Sequence, residues 1–230
     1  MGRSLHLVLL GSGKTGSLVG EIARERGHRT TALTEVENPD GVWLTRENLR
    51  GVDAVIDFTT PDAVLANIRG CIANRTPMVV GTTGWYGELD RVKQEVERTG
   101  TGLVFGANFS YGVNLFFQIA QAAAPALQHG YSGHITERHH IHKKDAPSGT
   151  AVALQRVVAD ACGSRVEITS EREGDVMGVH VLELESGGDR IVLSHEVKSR
   201  RTFAEGAVLA AEWIAGRTGF YDFKDIFLEI

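Results

Sequence analysis

The 230-residue sequence contains few cysteines and no long hydrophobic run. Its two cysteines, Cys71 and Cys162, lack the spacing of a metal site or a redox motif, so we expect buried free thiols in a reducing cytoplasm. The apolar runs have only the length of β-strands, which argues against a membrane-spanning helix. The first residues also lack the pattern of a signal peptide. The expectation is therefore a cytoplasmic protein with no membrane partner.

The sequence also lacks an excess of positive charge. Its 24 Lys and Arg residues against 29 Asp and Glu residues give a net charge of −5, which argues against a general nucleic-acid-binding surface. Neither internal repeats nor a low-complexity linker is apparent. A hydrophobic fraction of 42% is ordinary for a globular protein, and the length suffices for one large domain or two modest ones.

The first half of the chain alternates strand patterns with helix patterns. We predict strands at 5–10, 30–33, 54–58, 78–80 and 103–105, and helices at 17–26, 62–74 and 87–98. Strand and helix in succession predict a parallel sheet with crossover helices. The first half therefore predicts a Rossmann-type domain.

The second half has a different pattern, with helices predicted at 112–128, 148–161 and 202–215 and strands at 133–142, 166–170, 178–185 and 190–198. The predicted fold class is therefore α/β, with an N-terminal Rossmann-type parallel-sheet domain plus a C-terminal α+β domain with an open mixed sheet. The predicted boundaries are 1–110, completed by 201–230, for the dinucleotide-binding domain and 111–200 for the second domain. An open sheet favours self-association.

Three glycines follow the first predicted strand and precede the first helix: Gly11, Gly13 and Gly16. In this context G-x-G-x-x-G predicts dinucleotide binding, because the glycines permit a tight turn, an approach to the pyrophosphate and close helix–strand packing. Gly13-Lys14-Thr15 also imitates the end of a phosphate-binding P-loop. That motif, however, requires a glycine at position 8, where this chain has Val8.

Two charged residues bear on the choice of nicotinamide cofactor. Glu35, just after the second strand, could accept hydrogen bonds from the adenine ribose and favour NADH. Lys14, in the glycine loop, could pair with a 2′-phosphate and admit NADPH. Both could instead be solvated surface charges, so the preference stays open.

Three later loops also follow predicted strands: 57–61, 81–84 and 107–110. Strand carboxyl ends are where ligands bind in a doubly wound sheet. Each loop alone could be an ordinary turn. Together, their hydroxyl and backbone groups suit a carboxamide and a ribose, which favours a nicotinamide pocket.

The stretch TERHHIHKKDAPSGTA, residues 136–151, is the most unusual of the chain. Its histidines could bind a metal, because His140 and His142 share a face if 133–142 is a strand. No further ligand cluster is apparent, however, except the remote His180 and His195, and the lysines would repel a cation. It could equally be a solvated basic patch. A third interpretation is an acid–base centre for a small anionic substrate, with Ser148 as helix N-cap and the N–H groups of Gly149 and Thr150 as anion donors.

These motifs resemble the dihydrodipicolinate reductase family, also called 4-hydroxy-tetrahydrodipicolinate reductases, over essentially the whole chain. The family signature E-x-H-H-x-x-K-x-D-A-P-S-G-T-A matches residues 137–151. Further matches are the Asp-Phe-Thr at 57–59, the Gly-Thr-Thr-Gly at 81–84 and the Asn-Phe-Ser-Tyr-Gly-Val-Asn at 108–114. The Ser-Arg at 199–200 and the Thr-Phe-Ala-Glu-Gly-Ala at 202–207 also match.

The resemblance implies NAD(P)H-dependent reduction of 4-hydroxy-tetrahydrodipicolinate to tetrahydrodipicolinate with loss of water, in lysine and diaminopimelate biosynthesis. Hydride enters C4 of this cyclic dicarboxylate. The resemblance also implies a homotetramer that uses NADH or NADPH. From the residues themselves, no metal is expected in the site. The alternative that remains is a nicotinamide-nucleotide sensor without catalysis.

The resemblance also assigns site residues in this chain. His139 falls on the acid–base position and Lys143 on the proton donor. His140, Gly149 and Thr150 fall on substrate-binding positions. Residue chemistry adds Lys143, as a partner for a carboxylate, and Ser148, as the helix N-cap, to the predicted substrate-binding residues. The cofactor-binding positions are Gly11, Ser12, Gly13, Lys14, Thr15, Gly16, Glu35, Gly81, Thr82, Thr83, Gly106, Ala107, Asn108 and Phe109.

Overall fold

The computed structural model describes residues 3–230, so Met1 and Gly2, at the start of the predicted 1–110 domain, lie outside the described residues. The chain forms two compact units. Unit 1 comprises residues 3–111 and Arg200–Ile230, and unit 2 comprises Gly112–Ser199. Within the described part of the chain, no helix combines the length and apolar character needed to cross a bilayer.

Unit 1 is built on a six-stranded parallel sheet in the order β10-β5-β4-β3-β1-β2. Its strands are β1 (His6–Leu10), β2 (Arg29–Leu33), β3 (Ala54–Asp57), β4 (Met78–Val80), β5 (Gly102–Phe105) and β10 (Gly219–Asp222). Its helices are α1 (Lys14–Glu25), α2 (Pro61–Ala73), α3 (Leu89–Thr99), α6 (Arg201–Ile214) and α7 (Phe223–Ile226).

The sheet of unit 1 is buried on both faces, which explains its continuous apolar strands. On β1, Leu7 and Leu9 belong to one core cluster, which also contains residues of α1 and α6. Val8 and Leu10 belong to the other, with residues of α2 and α3. Because side chains alternate along a strand, both sets of positions must be hydrophobic.

Unit 2 contains a four-stranded mixed sheet in the order β7-β6-β8-β9. Its elements are α4 (Tyr111–Ala123, whose first residue belongs to unit 1), β6 (Ser132–His139), α5 (Gly149–Cys162), β7 (Glu167–Arg172), β8 (Val179–Glu185) and β9 (Arg190–Glu196). Strand β6 pairs in parallel with β7 and antiparallel with β8, and β8 pairs antiparallel with β9. Ile135, Leu182 and Leu184 of the sheet join residues of α4 and α5 in one core cluster.

The predicted fold class is confirmed, and several element boundaries are corrected. Helix α1 begins at Lys14, inside the glycine loop, rather than at residue 17. The helix predicted at 112–128 ends as α4 at Ala123 and continues as the 3₁₀ turn Ala124–His129, where Pro125 cannot donate the helical hydrogen bond. The strand predicted at 133–142 ends at His139. Strand β10 and helix α7 were missed.

Candidate active site

Three predicted cofactor glycines lie at the carboxyl ends of parallel strands in unit 1. Gly11 follows β1, Gly81 follows β4 and Gly106 follows β5. Each glycine N–H extends the ladder of a neighbouring strand: Gly11 donates to the Leu33 carbonyl at 3.1 Å, and Gly81 donates to the Asp57 carbonyl at 2.9 Å. The strand order reverses at β1, between β2 and β3, and this switch point is where such sheets bind ligands.

The three glycines of the first loop have different surroundings. Gly11 has φ +99°, and a Cβ there would lie 2.2 Å from the Phe58 carbonyl oxygen. A Cβ at Gly16 would lie 2.2 Å from the Gly11 oxygen, so these two positions exclude any side chain. A Cβ at Gly13 would meet no atom within 4 Å. The backbone at Gly13, the N-cap of α1, is therefore open for a phosphate to approach.

Two clefts adjoin this loop within unit 1. The larger has a volume of about 610 Å³ and the smaller about 290 Å³. The predicted cofactor residues of the larger cleft are Gly11, Ser12, Gly13 and Glu35. Those of the smaller cleft are Gly13, Lys14, Thr15, Gly16, Gly81, Thr82 and Thr83. Phe58 and Thr59 line both clefts, although sequence reasoning placed them only in a loop without an individual role.

The remaining predicted cofactor segment, 106–109, follows β5 and differs from residue to residue. Ala107 is exposed and Asn108 is half-buried. Phe109 is 2% exposed, and its ring centroid lies 4.7 Å from that of Phe223 in the core of unit 1. A Cβ at Gly106 would lie 3.0 Å from the Phe223 side chain. Gly106 and Phe109 can therefore contact a ligand only through their backbone atoms.

In unit 2, strand register gathers polar side chains into one row across all four strands. Glu137 of β6 pairs with Ser170 of β7 and with His180 of β8, and His180 pairs with His195 of β9. Paired residues project from the same face of a sheet. One position further along, His139 pairs with Arg172. The row therefore surrounds His139 with charged and titratable groups.

His139 and Glu137 are both buried and hydrogen-bonded to each other. Their relative exposures are 7% and 0%, and Nδ1 of His139 contacts Oε2 of Glu137. Burial lowers the pKa of His139, while the Glu137 carboxylate acts in the opposite direction. The strand expected at 133–142 would have placed His139 opposite His140 and His142. Since β6 ends at His139, the strand alternation on which that arrangement depends does not extend to His140 and His142.

His180 connects this row to the amino end of α5. Burial lowers its pKa from the usual 6.5 to about 4, with a further contribution from His139. Nε2 of His180 lies 3.0 Å from the Ser148 hydroxyl, and this hydroxyl accepts a hydrogen bond from the N–H of Ala151 at 3.2 Å. The N-cap predicted for Ser148 is thereby confirmed. Gly149 and Thr150 are the first two helical residues, whose N–H groups point out of the helix.

Lys143 lies in the loop after β6 and is held by an acidic neighbour. Its Nζ donates to Oδ1 and Oδ2 of Asp145 at 2.7 and 2.9 Å. The hydrogen bond from Lys143 lowers the pKa of Asp145. A carboxylate is thus already a partner of the Lys143 ammonium, whose side chain is 21% exposed.

The other members of the His-Lys stretch differ in exposure. His142 and Lys144 are exposed, and His140 is half-buried. Within residues 3–230, Nδ1 of His140 is buried without a hydrogen-bond partner. The rings of His140 and His142 are 6.2 Å apart. His140 is therefore the histidine of this pair with an unsatisfied polar atom.

The side chains that could together bind a metal are not the histidines of residues 136–151 alone. Glu137, His139 and His180 have ligand-type atoms within 4.8 Å of one another. Nη1 of Arg172, however, lies 3.0 Å from Oε1 of Glu137. A guanidinium at that distance opposes a second cation on the same carboxylate. The chemistry of the donor set thus favours a hydrogen-bonded acid–base group.

Sequence reasoning gave no individual role to Glu137, Arg172 or Gly178, and it considered His180 only as a remote candidate metal ligand. Glu137 could have been found, because it lies two residues before His139 and alternate strand residues share a face. Arg172, Gly178 and His180 approach His139 only through strand pairing. A Cβ at Gly178 would lie 2.9 Å from Nε2 of His139, so glycine leaves that nitrogen uncovered.

Models of one protein family match both parts of the chain. The model described as dihydrodipicolinate reductase, N-terminus, matches residues 1–109. The model described as dihydrodipicolinate reductase, C-terminus, matches residues 112–227. The matches together extend over nearly the whole chain and meet close to the boundary between units 1 and 2.

Similar proteins carry the same description. The 4-hydroxy-tetrahydrodipicolinate reductase of Christiangramia forsetii is 34% identical, with 98% of this chain and 99% of the relative covered. That of Thiobacillus denitrificans is 39% identical over 91% and 84%. The solved dipicolinate-bound dihydrodipicolinate reductase of Paenisporosarcina sp. TG-14 has a TM-score of 0.82 at 21% identity, with 97% of this chain and 100% of that chain covered, and supports the fold.

Proposed function

The chain belongs to the dihydrodipicolinate reductase family and is an oxidoreductase of lysine and diaminopimelate biosynthesis, and from this premise we propose how its residues divide the work. Unit 1 binds the nicotinamide cofactor, and unit 2 binds the substrate and supplies the acid–base groups. The observation that carries this division is the arrangement within unit 2. There, His139, Lys143 and the amino end of α5 occur together on the strand-and-loop segment that follows α4.

The residues of unit 1 fit a dinucleotide. The open backbone at Gly13 and the amino end of α1 suit a pyrophosphate, because N–H groups and the helix dipole favour an anion there. Thr82 and Thr83 line the adjoining smaller cleft and would hold the ribose and carboxamide. A reduced nicotinamide supplies hydride to the substrate.

We propose that the preferred cofactor is NADH. Among the described residues that line the larger cleft, every charged side chain is acidic: Glu35, Asp40 and Asp62. Glu35 can accept hydrogen bonds from ribose hydroxyls, whereas a 2′-phosphate would meet like charge. Lys14 lines the smaller cleft instead. The charge distribution therefore favours an unphosphorylated ribose.

The substrate is proposed to be the cyclic dicarboxylate of the family, 4-hydroxy-tetrahydrodipicolinate. Its carboxylates would bind Lys143 and the N–H groups of Gly149 and Thr150, with His140 as a further donor. The ion pair of Lys143 with Asp145 supports this proposal, because the Lys143 ammonium already has a carboxylate as its partner. Ser148 is 2% exposed and acts by holding the end of α5 in place.

His139 and Lys143 provide the proton transfers. After hydride enters C4, the anion stabilised by the ring nitrogen must receive a proton, and we propose that the Lys143 ammonium donates it. His139, whose pKa is lowered by burial, exchanges protons as the general acid–base. Water leaves from the hydroxylated carbon before reduction.

We propose that the enzyme is a homotetramer assembled through the sheet of unit 2. Strand β9 is an edge strand of that sheet, and its Ile191 and Val192 are exposed by 38% and 47%. An exposed edge with apolar side chains favours pairing with another copy. Analytical ultracentrifugation of the wild type and of Val192→Lys measures this assembly, and an unchanged tetramer in the variant would refute the proposed surface.

The function is tested by following the absorbance of NADH and of NADPH while an upstream synthase forms the substrate from pyruvate and aspartate semialdehyde. We expect synthase-dependent oxidation, faster with NADH, that persists with a chelator present and is lost in His139→Gln. Binding of both nucleotides without turnover would instead support a nucleotide sensor. Loss of activity on chelation would support a metal site.

A further inference from the structure

Glu137 is a buried carboxylate to which the proposed chemistry assigns no task. It has 0% exposure and follows Ile135 by two residues, so it continues the row of β6 that packs in the core of unit 2. A carboxylate in such a place is costly unless it is paired and hydrogen-bonded. Its partners therefore indicate what it does.

The partners of Glu137 occupy both of its oxygens. Oε2 contacts Nδ1 of His139, and Oε1 accepts from Nη1 of Arg172 at 3.0 Å. Although burial raises the pKa of Glu137, hydrogen bonds from Ser170, Arg172 and His139 lower it further than burial raises it. The group is accordingly an anion beside the imidazole.

An anion at Nδ1 determines the tautomer of His139. Since a carboxylate only accepts hydrogen bonds, Nδ1 carries the proton and Nε2 is the nitrogen that can exchange one. Nε2 faces Gly178, where the missing side chain leaves room. The same pairing prevents the ring from turning, because a flip would place a carbon atom against Oε2.

Arg172 extends this arrangement to the loop that carries Lys143. Its Nη2 donates to the Asp145 carbonyl at 2.7 Å, while Asp145 accepts from Lys143 through its carboxylate. One guanidinium thus joins the carboxylate behind His139 to the loop that contains Lys143. Both proposed proton-transfer groups depend on the same Glu137–Arg172 pair for their position.

We propose that Glu137 is a positioning residue for the reductase reaction, which holds His139 in the Nδ1–H tautomer, stabilises its imidazolium form and, with Arg172, fixes His139 relative to the Lys143 loop. This inference rests on the proposed function of His139. It adds a charged group beneath the acid–base residue and gives a role to the half-buried Arg172, with which β7 ends beside the buried His139 at the end of β6.

Charges reach His139 from every element around it. Glu137 precedes it on β6, Lys143 and Asp145 follow in the next loop, Arg172 lies on β7 and His180 on β8. Lys143 and Arg172 lower the pKa of His139, whereas Glu137 raises it. Removing the charge of Glu137 alone therefore lowers the pKa of His139.

The test compares Glu137→Gln with Glu173→Gln. The second carboxylate forms an exposed ion pair with Arg138 at 2.8 Å and is the matched control, one strand away. In Glu137→Gln we expect kcat to fall on the order of 10²-fold, the substrate KM to change less than about threefold and the NADH Kd to stay the same. One limb of the pH profile should move to lower pH in Glu137→Gln, because the pKa of His139 falls when the Glu137 charge is removed, and should stay in place in Glu173→Gln.

A second measurement does not depend on turnover. In ¹⁵N NMR spectra, the His139 signals, identified by their loss in His139→Gln, should show the Nδ1–H tautomer in the wild type and in Glu173→Gln. They should show a mixture of tautomers in Glu137→Gln. An unchanged tautomer, or an unmoved pH limb with kcat within about twofold of the wild type, would overturn the positioning role.

Failure of the proposed function and failure of the positioning role of Glu137 give different results. A wild type that binds NADH but does not reduce the substrate refutes the proposed function. An active wild type, together with a Glu137→Gln variant whose kcat and pH profile are unchanged, refutes only the positioning role. If Glu137→Gln does not fold, Arg172→Gln is the second variant. It keeps the carboxylate and should lower kcat while the tautomer of His139 is retained, and loss of that tautomer would contradict the separate roles of the two residues.

Discussion

The hydroxyl of Thr82 donates a hydrogen bond of 2.6 Å to Oδ1 of Asp57, and this bond joins the loop after β4 to the end of β3, where the next loop begins. The same oxygen accepts from the N–H of Thr59 at 3.0 Å, while Oδ2 accepts from Asn67 at 2.7 Å. Asp57 itself is fully buried. One carboxylate therefore sets the shape of the smaller cleft, which is lined by residues of both loops.

Replacing Thr82 by valine removes this bond at nearly constant volume. Since a hydrogen bond to a charged group contributes roughly 1.5–3 kcal/mol, we expect the NADH Kd to rise about tenfold and Tm to fall. Fluorescence titration and thermal unfolding measure both. Thr99→Val, whose hydroxyl bonds to helix carbonyls, is the control, and an equal change of the NADH Kd there would contradict a local effect at the cleft.

The Glu35→Ala variant tests the cofactor preference. Loss of an acceptor for the ribose hydroxyls should weaken NADH binding several-fold. Loss of the negative charge should leave NADPH binding unchanged or make it stronger. Titration with each nucleotide gives the two Kd values. Glu47→Ala removes an exposed acidic side chain outside the clefts, and equal changes for both nucleotides in Glu35→Ala would show that Glu35 does not reach the ribose.

Lys143 and Lys144 form a matched pair of neighbours. In Lys143→Ala we expect turnover to fall about 10²- to 10⁴-fold, since a positioned proton donor contributes that much, with the NADH Kd unchanged. Lys144 is exposed, and Lys144→Ala should retain nearly full activity. Steady-state kinetics measure turnover, and nucleotide titration measures the NADH Kd of both variants. A parallel loss of NADH affinity in Lys143→Ala would contradict the proposal that unit 1 binds the cofactor and unit 2 the substrate.

Gly178→Ala tests the space beside His139. The added methyl group would lie 2.9 Å from Nε2 of His139, which is too close for an unshifted ring. We expect kcat to fall at least tenfold with unchanged NADH affinity. At Gly187 a Cβ would meet no atom within 4 Å, so Gly187→Ala should behave as the wild type. Full activity of Gly178→Ala would mean that Nε2 has no role in proton transfer.

His180 should make stability depend on pH. Its pKa is lowered by burial from 6.5 to about 4, so between these values the unfolded chain binds more protons than the folded one. The free energy of unfolding is therefore unaffected by protonation of His180 above pH 6.5. It decreases as the pH falls from 6.5 towards 4, by up to about 3 kcal/mol.

Denaturant unfolding at several pH values measures the free energy of unfolding for the wild type, for His180→Gln and for His134→Gln. His134 is half-buried on β6 and serves as the control. The slope between pH 6.5 and 4 should flatten in His180→Gln alone. A wild-type slope in that variant would assign the pH dependence to other groups.

Much of unit 1 was predictable because its structure is local. Periodicity and the glycine loop predicted β1 to β5 and the intervening helices, and the fold class and family are confirmed. Strand β10 was missed because its four residues, Gly219–Asp222, form a strand only by pairing with β5. The start of α1 at Lys14 was placed too late because the glycine-rich sequence disfavours a helix that close packing nevertheless stabilises.

By itself, the sequence determined which chemistry is present: glycines before a helix, acidic residues after β2, and histidine and lysine before Ser148. These properties follow from residue type, spacing and helix capping, which act over a few residues. Only the tertiary structure decided which groups surround His139. Strand pairing across β6, β7 and β8 brings Arg172, Gly178 and His180 to it from positions more than thirty residues away, because register depends on the packing of the whole sheet rather than on local pattern.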